Sequence, residues 1–313
     1  MLIPHYWAEG QQQGPIPNKK KPIQVRRYGW SNESQADAQR HADKRAQEAF
    51  SRIADGQPLA RREMKLAYGS EGLPIREEVV AQEHNTVLTR NSYGALCLNT
   101  PNVVFADVDF EHAPPGWWTW TAWVLCMAGA IVLWGNEEPF FAAALALLSF
   151  GAGNWARLLH ELKILARGGH ERQALKRVRA FHRQHPHWHL RTYRTPKGLR
   201  VLVVHTTMDP DDADVGTFFQ AVNADPLYVR MCQQQQCFRA RVSPKPWRMG
   251  ISQRIRRWDG LPSADKNRFQ ERRIWVKNYD RVAEGYSACH FLEALGPSDR
   301  MTAETAKVMS MHD

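Results

Sequence analysis

The chain alternates strand-like and helical stretches up to residue 115, then loses almost all charge for forty residues, then resumes the alternation with a basic bias. In the first part, IQVRRYGW (23–30) reads as a strand. SNESQADAQRHADKRAQEAFSRIADG follows, opening on Ser/Asn cap residues, with Ala, Phe and Ile at helical spacings and a closing Asp-Gly. The spacing predicts a helix with a very polar face. QPLARREMKLAYGSEGLP predicts a loop, and EEVVAQEHNTVLTRNSYGALCLNTPNVVFADVDF predicts two or three short strands with turns at RNSYG and NTPN.

The middle part holds two uncharged runs, Trp117 to Trp134 and Pro139 to Trp155, joined by GNEE. Each is near the lower length of a membrane-spanning helix. Trp117, Trp118, Trp120 and Trp134 flank the first run and Trp155 ends the second, as interfacial belts do. The chain then turns basic at Arg157, Lys163, Arg167, Arg172, Lys176, Arg177 and Arg179. Positive flanks stay in the cytoplasm, so this pattern predicts a transmembrane hairpin over 116–158 with both termini inside. A buried hairpin in a soluble protein is the alternative.

In the third part, GGHERQALKRVRAFHRQHP predicts a basic amphipathic helix, WHLRTYRT and LRVLVVHT two strands around a PKG turn, and DPDDADVGTFFQAVNAD a short helix with acids at its N-terminus. PLYVRMC and QCFRARVS read as strands, LPSADKNRFQERRIWVKNYDRVAEG as a helix, and the end as YSACHFLEAL plus a short helix from Thr302. With ADVDF placed first, the order is strand, helix, strand, strand, helix, strand. The expected fold is therefore α+β, a ferredoxin-like βαββαβ core (99–112 and 170–250) with the hairpin inserted in its first crossover. Residues 1–22 are expected to be a disordered basic leader, 23–98 an N-terminal α/β module, and 251–313 a C-terminal extension.

Composition sharpens this picture in two ways. The 313-residue chain carries a net charge of +10, which favours a polyanion: nucleic acid, nucleotide or an anionic lipid bilayer. Arginine-rich faces are also ordinary solvated surfaces. Its five cysteines form no disulfide-like framework, which suits a reducing compartment. The N-terminus shows no charged start followed by an apolar run.

Candidate chemistry centres on Asp107 and Asp109. Residues two apart on a strand share a face, and paired carboxylates suit Mg²⁺ or Mn²⁺. Arg194, Lys197 and Arg200 gather at the neighbouring hairpin turn and could hold phosphates, helped by Arg239 and Lys245. FRARVSPKPWRMG adds Arg241, Arg248 and Trp247, a set suited to phosphates and a stacked base or to a structural lid. Cys232, Cys237, Cys289 and His290 could bind zinc, though the five-residue spacing is wide and buried structural thiols are the simpler reading. His182, His185, His187 and His189 form a run that is most simply a surface feature. No Gly-rich phosphate loop, Ser/His/Asp signature or dinucleotide fingerprint is present.

The βαββαβ order, the acidic pair of ADVDF and the basic TPKG hairpin resemble the catalytic palm of archaeo-eukaryotic primases and primase-polymerases. That resemblance implies metal binding by Asp107 and Asp109 and nucleotidyl transfer. Arg200 and Val201 stand where a histidine is expected, with His205 farther along. CFRARVS lacks the third acid, for which Asp225 is the nearest substitute. RRYGWS, LTRNSYGALCLNTPNVVFADVDF, YRTPKGLRVLVVH, ADPLYVRMCQQQQCFRARVSPKPWR and the closing MHD are similar to a family of uncharacterised bacterial (membrane) proteins, a resemblance that brings no activity with it; the hairpin and its basic flank are expected to place the chain at the bacterial inner membrane. Two functions are expected. One is a membrane-anchored, metal-dependent nucleotide- or nucleic-acid-handling protein, active or catalytically degenerate. The other is a non-enzymatic membrane-tethered binding or scaffold protein.

Overall fold

The computed structural model describes residues 1, 3–16, 21–63, 73–110, 114–255 and 266–313, excepting the side chains of 266–269 and 298. The fold is α+β, and its sheets are antiparallel. It begins with β1 (Tyr6–Gly14) and β2 (Ile23–Ser31), paired along their whole length, and α1 (Gln35–Ala54) packed across them. Ser34 caps α1 by accepting from the Asp37 amide. A stripe of Ala38, Ala42, Ala46 and Ala49 faces the ribbon. Opposite it are Gly10 and Gly29, where a Cβ would lie 2.2 Å from the Ala42 carbonyl oxygen and 2.1 Å from the Ala42 nitrogen. Small residues on both sides let helix and ribbon touch backbone to backbone. The leader expected to be disordered therefore contains a strand, hidden by Gln and Gly residues of poor strand propensity; its residues 17–20 lie outside the described residues.

The chain continues through β3 (Glu78–Glu83), β4 (Thr86–Arg90), β5 (Leu96–Thr100) and β6 (Phe105–Asp109). The apolar helices α2 (Gly116–Gly135), α3 (Pro139–Ser149) and α4 (Ala152–Ala166) follow, then α5 (Gly169–Gln184). Next come β7 (Leu190–Thr195), β8 (Gly198–Val203), α6 (Ala213–Val222), α7 (Pro226–Gln235), β9 (Phe238–Arg241), α8 (Lys266–Ala283), β10 (His290–Leu295) and α9 (Ala303–His312). One four-stranded sheet runs β10-β7-β8-β6 and another β3-β4-β5-β9. Val178, Phe181, Phe218, Val201 and Leu202 belong to one large core shared by the first sheet, α5 and α6.

Two expected elements take other forms. PLYVRMC is the helix α7, because Asp225 accepts from the Leu227 amide as its cap and Pro226 opens its first turn. The strand β9 pairs with β5 rather than completing the sheet beside β6. Instead, α7 lies along the free edge of β6: the Asp225 amide donates to the Asp107 carbonyl (2.9 Å) and the Tyr228 hydroxyl donates to the Phe105 carbonyl (2.9 Å). The same hydroxyl accepts from the Arg239 amide of β9 (3.3 Å). A tyrosine thus bridges the two strands where a ladder would run, and it leaves the edge carbonyls satisfied. The boundary expected at residue 98 is crossed by the β5–β9 pairing, and the expected C-terminal extension supplies β10 and α9 to the central unit.

The second apolar run is not one helix. α3 and α4 meet at a 67° bend. Among the described residues α2 is the one single helix long and apolar enough to cross a membrane, and α3 with α4 reaches that length only as a bent pair; of the residues of α2 only Ala130 is buried.

Replacing Gly29 by Val is expected to destabilise the β1–β2–α1 unit by about 2–3 kcal/mol, read as a lowered midpoint in chemical unfolding. An unchanged midpoint would contradict the close packing described.

Candidate functional site

β6 and β8 place Asp107 directly opposite Arg200 and Asp109 opposite Gly198. Gly198 is required there, since a Cβ would lie 2.1 Å from the Val108 carbonyl oxygen. Asp107 and Asp109 share the expected face of the strand. Their surroundings differ.

Asp107 is committed to Arg200. The guanidinium Nε donates to Oδ1 at 2.9 Å, and Nη1 donates to the Arg241 carbonyl at 2.8 Å. His312 Nε2 lies 3.4 Å from the same Nη1. The Arg200 side chain is 3 % exposed. Burial alone would weaken its charge, but the Asp107 carboxylate outweighs that and holds the guanidinium firmly charged. Arg200 is thus a buried structural cation and not a free phosphate ligand.

Asp109 lies outside this pair. Its carboxyl is shifted above the ordinary range, first by partial burial, then by the carboxylates of Asp225 and Asp107, against the pull of Lys197 and Lys245. Three acids therefore influence one another electrostatically near the end of β6. Asp225 joins them through its place at the start of α7, the substitute third acid of the sequence pattern.

On the other side is a cationic rim. Lys245 is half-buried and touches the rings of Trp247 (5.3 Å) and Tyr93 (5.7 Å), which meet edge to face at 5.4 Å. Its ammonium is held below the usual lysine range, first by burial, then by Arg241, Arg248 and Lys197, with Asp109 acting the other way. The Arg241 Nε is buried and has no hydrogen-bond partner among the described residues. Trp247 is exposed. Tyr93 was not marked by the sequence reading. Its position comes from an Asx turn in RNSYG, where the Asn91 side chain accepts from the amides of Tyr93 and Ala95.

Of the five expected phosphate ligands, Lys197 and Lys245 stand at this rim. Arg194 pairs with Glu171 at 2.6 Å and covers the Phe110 ring. Arg239 is largely covered and pairs with Glu77, itself bonded to Thr89. Both partners are remote in sequence, which is why the arginines looked free. Arg200 is taken by Asp107. Nor do Cys232, Cys237, Cys289 and His290 form a cluster. Cys232 and Cys237 are buried thiols, the latter pushed up to about 11 by burial. Cys289 faces His312 at 3.6 Å, and His290 is exposed on β10. Among the described residues no three His, Cys, Asp or Glu side chains are arranged to hold a metal ion.

The chain matches no family model, no curated protein and no solved structure.

Removing Asp107 as Asp107→Ala leaves a buried guanidinium unpaired and is expected to cost about 3 kcal/mol of folding stability, measured by chemical unfolding in detergent. A change under about 0.5 kcal/mol would show the pair to be superficial. His312 gives a second test. Burial, helped by Arg200 and opposed by Asp313 and Asp107, pushes its imidazole down to about 4. The unfolded chain therefore binds this proton near pH 6.5 while the folded chain does not. Stability is full above that pH and declines by up to about 3 kcal/mol as pH falls toward 4. His205, likewise pushed down to about 4 by burial and by His187, His189 and Arg300, adds to the decline. The unfolding midpoint of His312→Gln should fall less over this range; identical profiles would contradict the burial of a neutral His312.

Proposed function

We propose that the protein is a membrane-tethered, non-enzymatic binding protein for the phosphates of a nucleotide or single-stranded nucleic acid. Phosphates lie on Lys197, Arg241, Lys245 and Arg248, and a base stacks on Trp247. The observation that carries this reading is geometric: the Lys245 ammonium lies 5.3 Å from the exposed Trp247 ring and 5.7 Å from the Tyr93 ring, beside a buried Arg241 Nε that has no hydrogen-bond partner among the described residues. A bound anion relieves the crowding of Lys245 by its neighbouring cations and gives the Arg241 Nε an acceptor.

In this reading the unit around β6, α5, β7, β8 and α6 is a ferredoxin-like core whose closing strand has been displaced by α7. The helices α2 to α4, placed between β6 and α5, are its anchor in the bacterial inner membrane, with both termini cytoplasmic. What supports the anchor is length and surface. Twenty residues of α2 reach about 30 Å, the thickness of a hydrocarbon core. Trp120, Leu125, Ile131, Trp134, Phe140 and Leu147 are all exposed, with basic residues following only on the C-terminal side.

A second reading, the metal-dependent primase palm, is favoured by the electrostatic coupling of Asp109 to Asp225. As a ligand set for Mg²⁺ or Mn²⁺ the acids fit poorly. Asp107 is neutralised by Arg200, which leaves two carboxyls for one ion and no two-metal centre. No transfer step follows from that set.

Calorimetry of the detergent-solubilised protein with a short single-stranded oligonucleotide, with and without Mn²⁺, tests the choice. Binding is expected without metal, weakening with salt, and falling at least tenfold in Trp247→Ala and in Lys245→Glu while Asp109→Ala binds as well as the parent. Binding that requires Mn²⁺ and disappears in Asp109→Ala would favour the metal reading; no binding under any condition would overturn both.

A further inference from the structure

We infer that the groove where α4 meets α5 is a binding site for the phosphate headgroup of an anionic phospholipid. The inference deepens the anchor reading above and rests on it. The groove encloses about 940 Å³ and is lined by Leu165, Arg167, Arg172, Lys176, Arg179 and Arg183, among others. On α5 the cations recur at intervals of four, three and four residues, which puts them on one face of the helix. That face must point outward, because Ala174, Val178 and Phe181 on the other side are buried. Arg179 is paired with Glu293. Arg167, Arg172, Lys176 and Arg183 make no ion pair with any described residue.

Positive charge alone would suit any polyanion; α4 narrows the choice. α3 has eleven residues, about 16 Å, so the return crossing from α2 must continue through the bend into α4. Beyond the 67° bend, α4 buries Ala156, His160 and Ile164. It exposes Trp155, Leu158, Leu159, Leu162 and Leu165 along another face, the pattern of a helix that leaves the bilayer obliquely through its interface. This apolar stripe runs directly into the cationic one at Leu165–Arg167. Gly168 and Gly169, with φ of 93° and 86°, make the turn between them. A Cβ on Gly168 would lie 2.5 Å from Arg172 Cδ. Apolar surface followed at once by cations is the order of acyl chain followed by phosphate, and a nucleic acid has no use for the leucines.

The test uses the full chain in nanodiscs of phosphatidylglycerol or phosphatidylcholine, with native mass spectrometry reporting which lipid stays bound. The parent is expected to retain phosphatidylglycerol at least tenfold over phosphatidylcholine. Combined Arg172→Gln, Lys176→Gln and Arg183→Gln should reduce that retention roughly a hundredfold while the protein still sediments with membranes after carbonate extraction. Millimolar inorganic phosphate should not displace the lipid. Equal retention of the two lipids, an unaltered preference in the triple variant, displacement by inorganic phosphate, or displacement by an oligonucleotide would each overturn the headgroup site and leave the anchor standing. Release of the parent by carbonate would overturn the anchor itself, and the headgroup site with it.

Discussion

The Arg200 guanidinium holds four elements together. It leaves β8, pairs with Asp107 on β6, donates to the Arg241 carbonyl at the end of β9, and abuts His312 at the end of α9. A cation this deeply buried is stable only while its partners are in place, so each of these elements has one permitted position relative to the others. The tilted contact of His312 on Phe105 and its edge contact on Tyr193 fix α9 over the same face of the sheet. The second sheet is joined to the first through this point and through the Tyr228 hydroxyl, since β9 shares no ladder with β6.

This constraint also decides what the acidic strand can do. Two aspartates on one face look equivalent in a sequence, yet one is neutralised from within the core and the other opens toward solvent, Asp225 and the lysines. Beside the second stands a rim of Lys197, Lys245, Arg241 and Arg248 with Trp247, the surface on which the proposed binding rests. Some of the chain's excess positive charge is thereby accounted for twice, once here and once along α5, on two surfaces of different character: one aromatic, one next to leucines.

How much of this was legible beforehand depended on whether the cause was local. α1, α5, β7, β8 and α6 follow from caps, turns and periodicity within their own residues. The shared face of Asp107 and Asp109 follows from strand alternation. β1 is hard to read locally because its fit to α1 relies on Gly10 and Gly14, whose need is set by Ala42 and Phe50 across the interface. α7 was misread because Tyr228 and Val229 favour strands, while the deciding signal was Asp225-Pro226 ahead of them. The bend after α3 was masked because the uncharged run continues past Gly151 to Trp155. The roles of Arg194, Arg200 and Arg239 were illegible for a different reason: their partners Glu171, Asp107 and Glu77 lie 23, 93 and 162 residues away in the chain, and no local pattern tells a paired arginine from a free one.

The central claim is that Asp107 and Arg200 act as one structural unit. A double-mutant cycle with Asp107→Leu and Arg200→Met, read by chemical unfolding, measures this most directly. A coupling of about 2–3 kcal/mol is predicted, with the double variant more stable than either single one. Additive effects, within about 0.5 kcal/mol, would contradict it and return Asp107 to the acids available for binding.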